Sequence, residues 1–217
     1  MSPELILASA SPRRQELIQL LGLPYQIITA NVDESSVHDS DPAVDVVETA
    51  RIKAQEIAAA APSKAVLIAA DTTVVLERRR LNKPENAGEA RQMLVMLRGR
   101  IHQVYTGIVV TNLASGHSVS DVAIIDVPMR AYSDTEIAAY VATGDPLDKA
   151  GAYAIQNPDF QPVAGLSGCF AGVVGLPLCH LVRSLNKVGL STPVDIAAAC
   201  QAFHRYDCPI YQSILEN

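Results

Sequence analysis

Asp71 and the Ser9–Arg14 segment hold the residue types best suited to chemistry. Asp71 closes an uninterrupted apolar run, Ala65-Val66-Leu67-Ile68-Ala69-Ala70, and a second run, Val74-Val75-Leu76, begins two threonines later. Runs of this kind read as buried strands. A carboxylate beside a buried strand is costly to desolvate unless a cation, a metal or a set of hydrogen bonds meets it. Asp71 therefore reads in two ways: a catalytic or metal-binding group held at a strand end, or an Asx-type turn that stops the strand. Ser9-Ala10-Ser11-Pro12-Arg13-Arg14 joins a strand to a helix start. Free N–H groups and the positive end of the helix dipole favour an anion there. Arg13 and Arg14 sit where cations weaken a helix, which makes sense if an anion lies between them and the helix end. Arginine also grips phosphate with two prongs. A solvated arginine pair on an ordinary capped helix is the plain alternative.

The elements that must position these groups are well punctuated. Leu5-Ile6-Leu7-Ala8 predicts a first strand, with Ser11 as N-cap, Pro12 as first helical residue and Gly22 as stop. A second helix is expected from Asp41-Pro42 to about Ala61-Pro62, with Val46, Val47, Ala50, Ala54, Ile57 and Ala58 on its apolar arc. Lys53 falls just off the edge of that arc, where its stem packs and its ammonium reaches a pocket. Glu77-Arg78-Arg79-Arg80 reads as a solvated hairpin tip. A third helix spans about Ala87 to Arg98, and strands follow near Val104–Asn112 and Val119–Arg130. Ser133-Asp134-Thr135-Glu136 is a capping box for a helix ending near Thr143-Gly144. Ala150–Gln156 reads as a short strand, and Leu178–Val188 and Pro193–Tyr206 as closing helices. This mixture predicts an α/β fold with a mixed, twisted sheet flanked by helices.

Composition sets outer bounds. The chain has 217 residues, 49% hydrophobic and 18% charged, enough to fill a sizeable core. A net charge of −6 argues against a general nucleic-acid or anionic-membrane surface. The N-terminus lacks the basic region of a secretory signal, so a reduced, cytoplasmic setting is expected for Cys169, Cys179, Cys200 and Cys208. Cys200, His204 and Cys208, with Cys179-His180, suggest a zinc site, against which stand the unusual spacing and Pro209. Residues 160–182 lack Asp, Glu, Lys and Arg, yet glycines and prolines break them, so a buried turn-rich segment is expected rather than a membrane span.

The chain resembles the Maf family of nucleoside triphosphate pyrophosphatases over about residues 5–182. The pieces stand in family order. They are Leu7-Ala8-Ser9-Ala10-Ser11-Pro12-Arg13-Arg14, Val32-Asp33-Glu34, Ala50-Arg51-Ile52-Lys53-Ala54, Ala70-Asp71-Thr72 and Lys83-Pro84. Further on come Gly99 to Gly107, Asp148 to Gln156 and Val174-Gly175-Leu176-Pro177. The resemblance implies hydrolysis of a nucleoside triphosphate to monophosphate and pyrophosphate with a divalent cation, Mg or Mn. It implies an elongated sheet similar to the inosine triphosphate pyrophosphatase superfamily and a possible homodimer. Residues 1–217 would form one such domain, as a single body or as two lobes about a central cleft, with an atypical helical tail over about 190–217. By the same resemblance Asp71 is the proton acceptor, and Ser9, Arg13, Arg14, Glu34, Lys53 and Lys83 form the phosphate and metal network, with Glu34 and Asp71 holding the cation. Arg13, Thr72 and Gln156 fall on base-selecting positions, and the glutamine matches the branch acting on dTTP and UTP. A triphosphate does need several cations and a metal to offset its charge, and a glutamine offers a pyrimidine edge both a donor and an acceptor.

Three departures bear on this. Gly168-Cys169-Phe170-Ala171-Gly172 replaces the family's hydroxyl- and amide-bearing Gly-Ser-Tyr-Ser-Asn, Arg78-Arg79-Arg80 replaces a glycine turn, and the cysteine-bearing tail is unusual. They leave two alternatives open: a nucleotide-binding regulator of cell division with little turnover, or a purine-directed house-cleaning pyrophosphatase.

Overall fold

In the computed structural model, residues 4–33, 37 and 39–216 are described. Leu5–Leu7 forms β1, and every one of its side chains is buried. It runs parallel to both neighbours, β2 (Tyr25–Ile27) and β3 (Val66–Leu76). Strand β3 continues antiparallel to β5 (Ile101–Asn112), and β5 to β6 (His117–Pro128). The order is β2-β1-β3-β5-β6, with β4 (Arg79–Leu81) attached to β3. The mixed α/β sheet expected from the sequence is therefore present.

Helix α2 (Pro42–Ala58) covers one face, its start capped by the Asp41 carboxylate, which accepts from the Ala43 N–H. Beneath it lie Ile6, Ala8, Leu67, Ala69 and Val109. The opposite face meets α1 (Pro12–Gln19), α3 (Ala87–Leu97) and α4 (Asp134–Ala142), followed by α5 (Phe170–Val174) and α6 (Leu178–Lys187). The Ser133 capping box is formed as expected. No helix among the described residues is long and apolar enough to cross a membrane, and 160–182 contains α5 and the start of α6.

Five expectations are corrected. Strand β3 runs through Asp71, Thr72 and Thr73 without a break, because β5 pairs with all of them; Asp71 lies opposite Gly107. Ala150–Gln156 is not a strand. Ala150–Ala152 forms a tight turn with Gly151 and Ala152 at positive φ, and a second turn follows from Ala154 to Asn157. Helix α2 ends at Ala58 rather than near Pro62. Lys53 lies on the sheet-facing stripe of α2, not at its edge, and is 8% exposed. The Glu77-Arg78 turn is a two-residue hairpin loop with positive φ at both positions, 48° and 74°. Side chains there cost roughly 1–2 kcal/mol each relative to glycine. Arg78 and Arg79 are exposed, but Arg80 is turned inward.

The tail adds α7 (Ile196–His204) and α8 (Tyr211–Leu215), both packed on α6. Ile196 and Ile214 are buried, each contributing roughly 1.5–3 kcal/mol. Arg183 of α6 ties the tail down, donating to Asp121 Oδ2 at 2.6 Å and to the Ile214 carbonyl at 2.9 Å. Cys169, Cys179, Cys200, Cys208 and His204 border one small apolar pocket beneath these helices. Among the described residues no three His, Cys, Asp or Glu groups are arranged to hold a metal, so the zinc expectation is not supported. Burial raises the Cys169 and Cys200 thiols to about 12, as suits packed apolar sulfur.

Candidate active site

The cleft originates in a gap in the sheet. β1 pairs with β3 over Val66–Ile68 and β4 pairs with it over Val74–Leu76, both on the edge away from β5. Among the described residues, no strand therefore pairs with 69–73 on that edge. Alternation sends Asp71 toward α2 and Thr72 toward α1 and α5, yet both open on the gap. The chain leaving β1 turns there into α1. A cleft of about 760 Å³ fills the space.

All eight described residues singled out from the sequence border this cleft. Ser9, Arg13 and Arg14 come from the β1–α1 turn, Lys53 from α2, Asp71 and Thr72 from β3, Lys83 from the loop after β4, and Gln156 from the turn beyond Tyr153. Glu34 lies outside the described residues. Acidic side chains there are already paired with cations, Asp71 and Asp148 among them. Lys53 Nζ is 2.7 Å from Asp71 Oδ1, with the two side chains only 10% and 17% exposed. Arg13 Nη1 donates to Asp148 Oδ2 at 3.0 Å. Asp148 also accepts from Lys149 at 2.6 Å, and Lys149 from the other side meets Asp145 at 2.9 Å. Against a burial that would raise it, these bonds hold the Asp148 carboxyl below the usual range.

Arg14 serves a different purpose. It donates to the Gly175 carbonyl at 2.8 Å, to Thr72 Oγ1 at 3.0 Å and to Ser9 Oγ at 3.5 Å. Thr106 Oγ1 donates to the Gly172 carbonyl, so the 2.9 Å bond between the two threonines must carry the Thr72 hydrogen. A relay from Arg14 through Thr72 and Thr106 thus fixes the cleft wall to α5. The Thr72 hydroxyl hydrogen is spent on this wall.

The Maf-like protein profile matches residues 4–188. The chain belongs to this family. It is 43% identical over 183 residues to the dTTP/UTP pyrophosphatase of Alkaliphilus metalliredigens (strain QYMF), covering 84% of this chain and 95% of that one. With the dTTP/UTP pyrophosphatase of Moorella thermoacetica the identity is 44%, over 86% of this chain and 96% of that one. With that of Thermomicrobium roseum it is 44%, over 95% and 93%. Among solved structures, the Staphylococcus aureus Ham1 protein matches at 13% identity over 93% of this chain and 98% of that one, with a TM-score of 0.46. That likeness is too weak to inform the site.

Within this Maf-like cleft, Asp45, Arg80, Asn82, Asp148, Lys149 and Tyr153 are wall residues to which the sequence attached no role. Asp148 and Lys149 were visible as part of a family motif. Asp45 and Arg80 carried no signal beyond the arginine run. The departures at Cys169 and Phe170 face the tail and not the cleft: both border the small pocket with Cys200, His204 and Cys208, and the Phe170 ring lies 4.5 Å from that of His204. Only Val173 and Val174 of α5 reach the cleft.

Tyr153 is held from below by His102, whose Nε2 lies 2.8 Å from the tyrosine hydroxyl. Burial pushes the His102 ring down to about 4, with nearby Asp126 opposing, and burial does the same to His204. Both are therefore neutral in the folded protein at pH 6, whereas an unfolded histidine titrates near 6.5. Between those values the unfolded chain binds more protons, so stability is full above about pH 6.5 and falls as pH drops toward 4. The melting temperature is expected to decline across this window, and His102→Gln to flatten part of the decline. Parallel curves for the two proteins would contradict the assignment.

Proposed function

We propose that this chain hydrolyses a nucleoside triphosphate, of the dTTP or UTP type, to the monophosphate and pyrophosphate. The carrying observation is that Arg13, Lys53, Lys83, the α1 N-terminus and Asp71 border one cleft. These are the groups a polyphosphate chain requires. In this account Lys53 and Lys83 bind the phosphates, together with the start of α1. The bond between the α- and β-phosphates breaks as water adds to phosphorus, and Asp71 takes the proton of that water. Lys53, at 2.7 Å, fixes the carboxylate for this task. Gln156 and Arg13 meet the base, with Asp148 orienting the guanidinium.

A divalent cation, Mg²⁺ or Mn²⁺, belongs to the same proposal. Such ions take one or two carboxylates and complete their shell with water and substrate phosphates, so the hard oxygen donors of Asp71 fit an ion that arrives with the nucleotide. When bound, it would offset phosphate charge and acidify water. We place the activity in the cytoplasm on free nucleotides, and a homodimer remains part of the proposal.

The test is a panel of triphosphates with Mg²⁺ or Mn²⁺, scored for pyrophosphate. UTP and dTTP are expected to lead, and Gln156→Ala to narrow their advantage over CTP and ITP by roughly tenfold, the usual size of a lost base-edge hydrogen-bond pair. Equal rates on all bases would remove the pyrimidine assignment, and no pyrophosphate from any of them would remove the activity. The regulator reading is weakened, because Cys169 and Phe170 of the altered segment border the pocket under the tail and not the cleft.

A further inference from the structure

Arg80 departs from the solvated turn expected of the Arg78-Arg79-Arg80 run. From β4, opposite Val75, its side chain enters the cleft wall beside α2. Nη1 lies 2.7 Å from Asp45 Oδ1, and the two side chains are 24% and 11% exposed. Nη2 donates to the Asp39 carbonyl. Asp45 Oδ1 also accepts from the Asp39 N–H at 3.0 Å. Both backbone polar groups of Asp39 are thus gripped by the two members of one ion pair. Asp39 in turn accepts from the Asp41 N–H at 2.8 Å, and Asp41 caps α2. The ring therefore ties three parts together: the β3–β4 hairpin, the chain at Asp39, and the first turn of α2. Val37, Asp45 and Arg80 border the same cleft as Lys53 and Lys83.

We propose that Arg80 is a positioning residue for polyphosphate binding: it clamps the Asp39 backbone and neutralises Asp45 at the phosphate end of the cleft. This rests on the nucleotide reading above. Its electrostatic half follows from burial. Asp45 is 8% exposed, and a carboxylate so placed without its partner is costly and repels an incoming phosphate chain. Arg80 acts through its two acceptors, leaving the reacting atoms to Asp71.

Three variants of the full chain test this: Arg80→Met, Asp45→Asn, and the two combined. Affinity is measured with a non-hydrolysable triphosphate analogue and Mg²⁺, alongside kcat, KM and amide exchange at Asp39. Arg80→Met is expected to weaken the analogue about tenfold or more and raise KM to match, with kcat changed far less. The combined variant should recover part of that affinity, because the bare carboxylate is gone while the substituted amide oxygen still accepts from the Asp39 N–H. Exchange at Asp39 should quicken in Arg80→Met. Unchanged affinity and exchange in a folded Arg80→Met would overturn the proposal, as would a loss confined to kcat. If Arg80→Met does not fold, Arg80→Lys carries the same test, since lysine keeps the pair with Asp45 but lacks the second nitrogen for Asp39. A parent protein that neither binds nor cleaves any triphosphate sinks the functional reading instead. Exchange at Asp39 then still decides whether Arg80 is a clamp.

Discussion

Asp71→Asn is expected to cut turnover by roughly 10²–10⁴-fold, the range for losing a positioned general base, while the nucleotide still binds. Asparagine matches aspartate in shape and keeps an oxygen to accept from Lys53, now 2.7 Å away. The gap between β1 and β4 is made of backbone, so the cleft keeps its form. What disappears is the ability to take a proton. Binding should hold because a negative charge has been removed beside a negatively charged ligand. The split between lost turnover and kept affinity is the diagnostic result, read from pyrophosphate release and direct titration. Activity within a few-fold of the parent would show that Asp71 only anchors Lys53, and that the proton leaves by another route. Loss of turnover and affinity together would show that the carboxylate mainly supports binding.

Local chemistry made much of this legible beforehand. The Ser133–Glu136 box marks a helix start through bonds that span three residues, and Pro12 marks another through its fixed φ although the Ser11 side chain makes no capping bond, so short windows suffice to find them. The eight cleft residues named from the sequence were legible for another reason: each sits in a short motif, and the motifs keep family order. What stayed hidden depends on long-range partners. Thr72 and Thr73 looked like a break in a strand, but pairing with Tyr105 and Thr106 of β5 carries β3 straight through them. Ala150–Gln156 has strand composition, yet Gly151 and Ala152 at positive φ turn it back toward β3. Arg80 looked like its two exposed neighbours until Asp45, 35 positions away in the chain, gave it a partner. The Arg13–Asp148 pair spans 135 positions and leaves no local trace.

Gly107→Ala should damage both stability and catalysis, although the residue offers no side chain to either. Gly107 sits opposite Asp71 on β5, under the N-terminal half of α2. A Cβ there would lie 2.7 Å from the Val46 carbonyl carbon and 2.8 Å from the Val47 nitrogen. These are backbone atoms inside a helix, so no rotamer change relieves the clash, and α2 must lift from the sheet. Overpacking of this kind costs about 1–3 kcal/mol, occasionally more, which lowers Tm by roughly 2–12 °C in a chain of this size. The catalytic loss comes through Lys53. Val46, Ala50, Lys53 and Ile57 form one stripe of α2, so a shift at Val46 travels two turns along the helix to the ammonium that meets Asp71. A displacement near 1 Å in such a group costs on the order of 10²-fold in rate. The expected pattern is a lower Tm together with reduced kcat/KM at temperatures where the variant stays folded. A variant melting with the parent at full activity would mean that α2 can move without carrying Lys53 away, and that the close approach of helix and strand does not position the site.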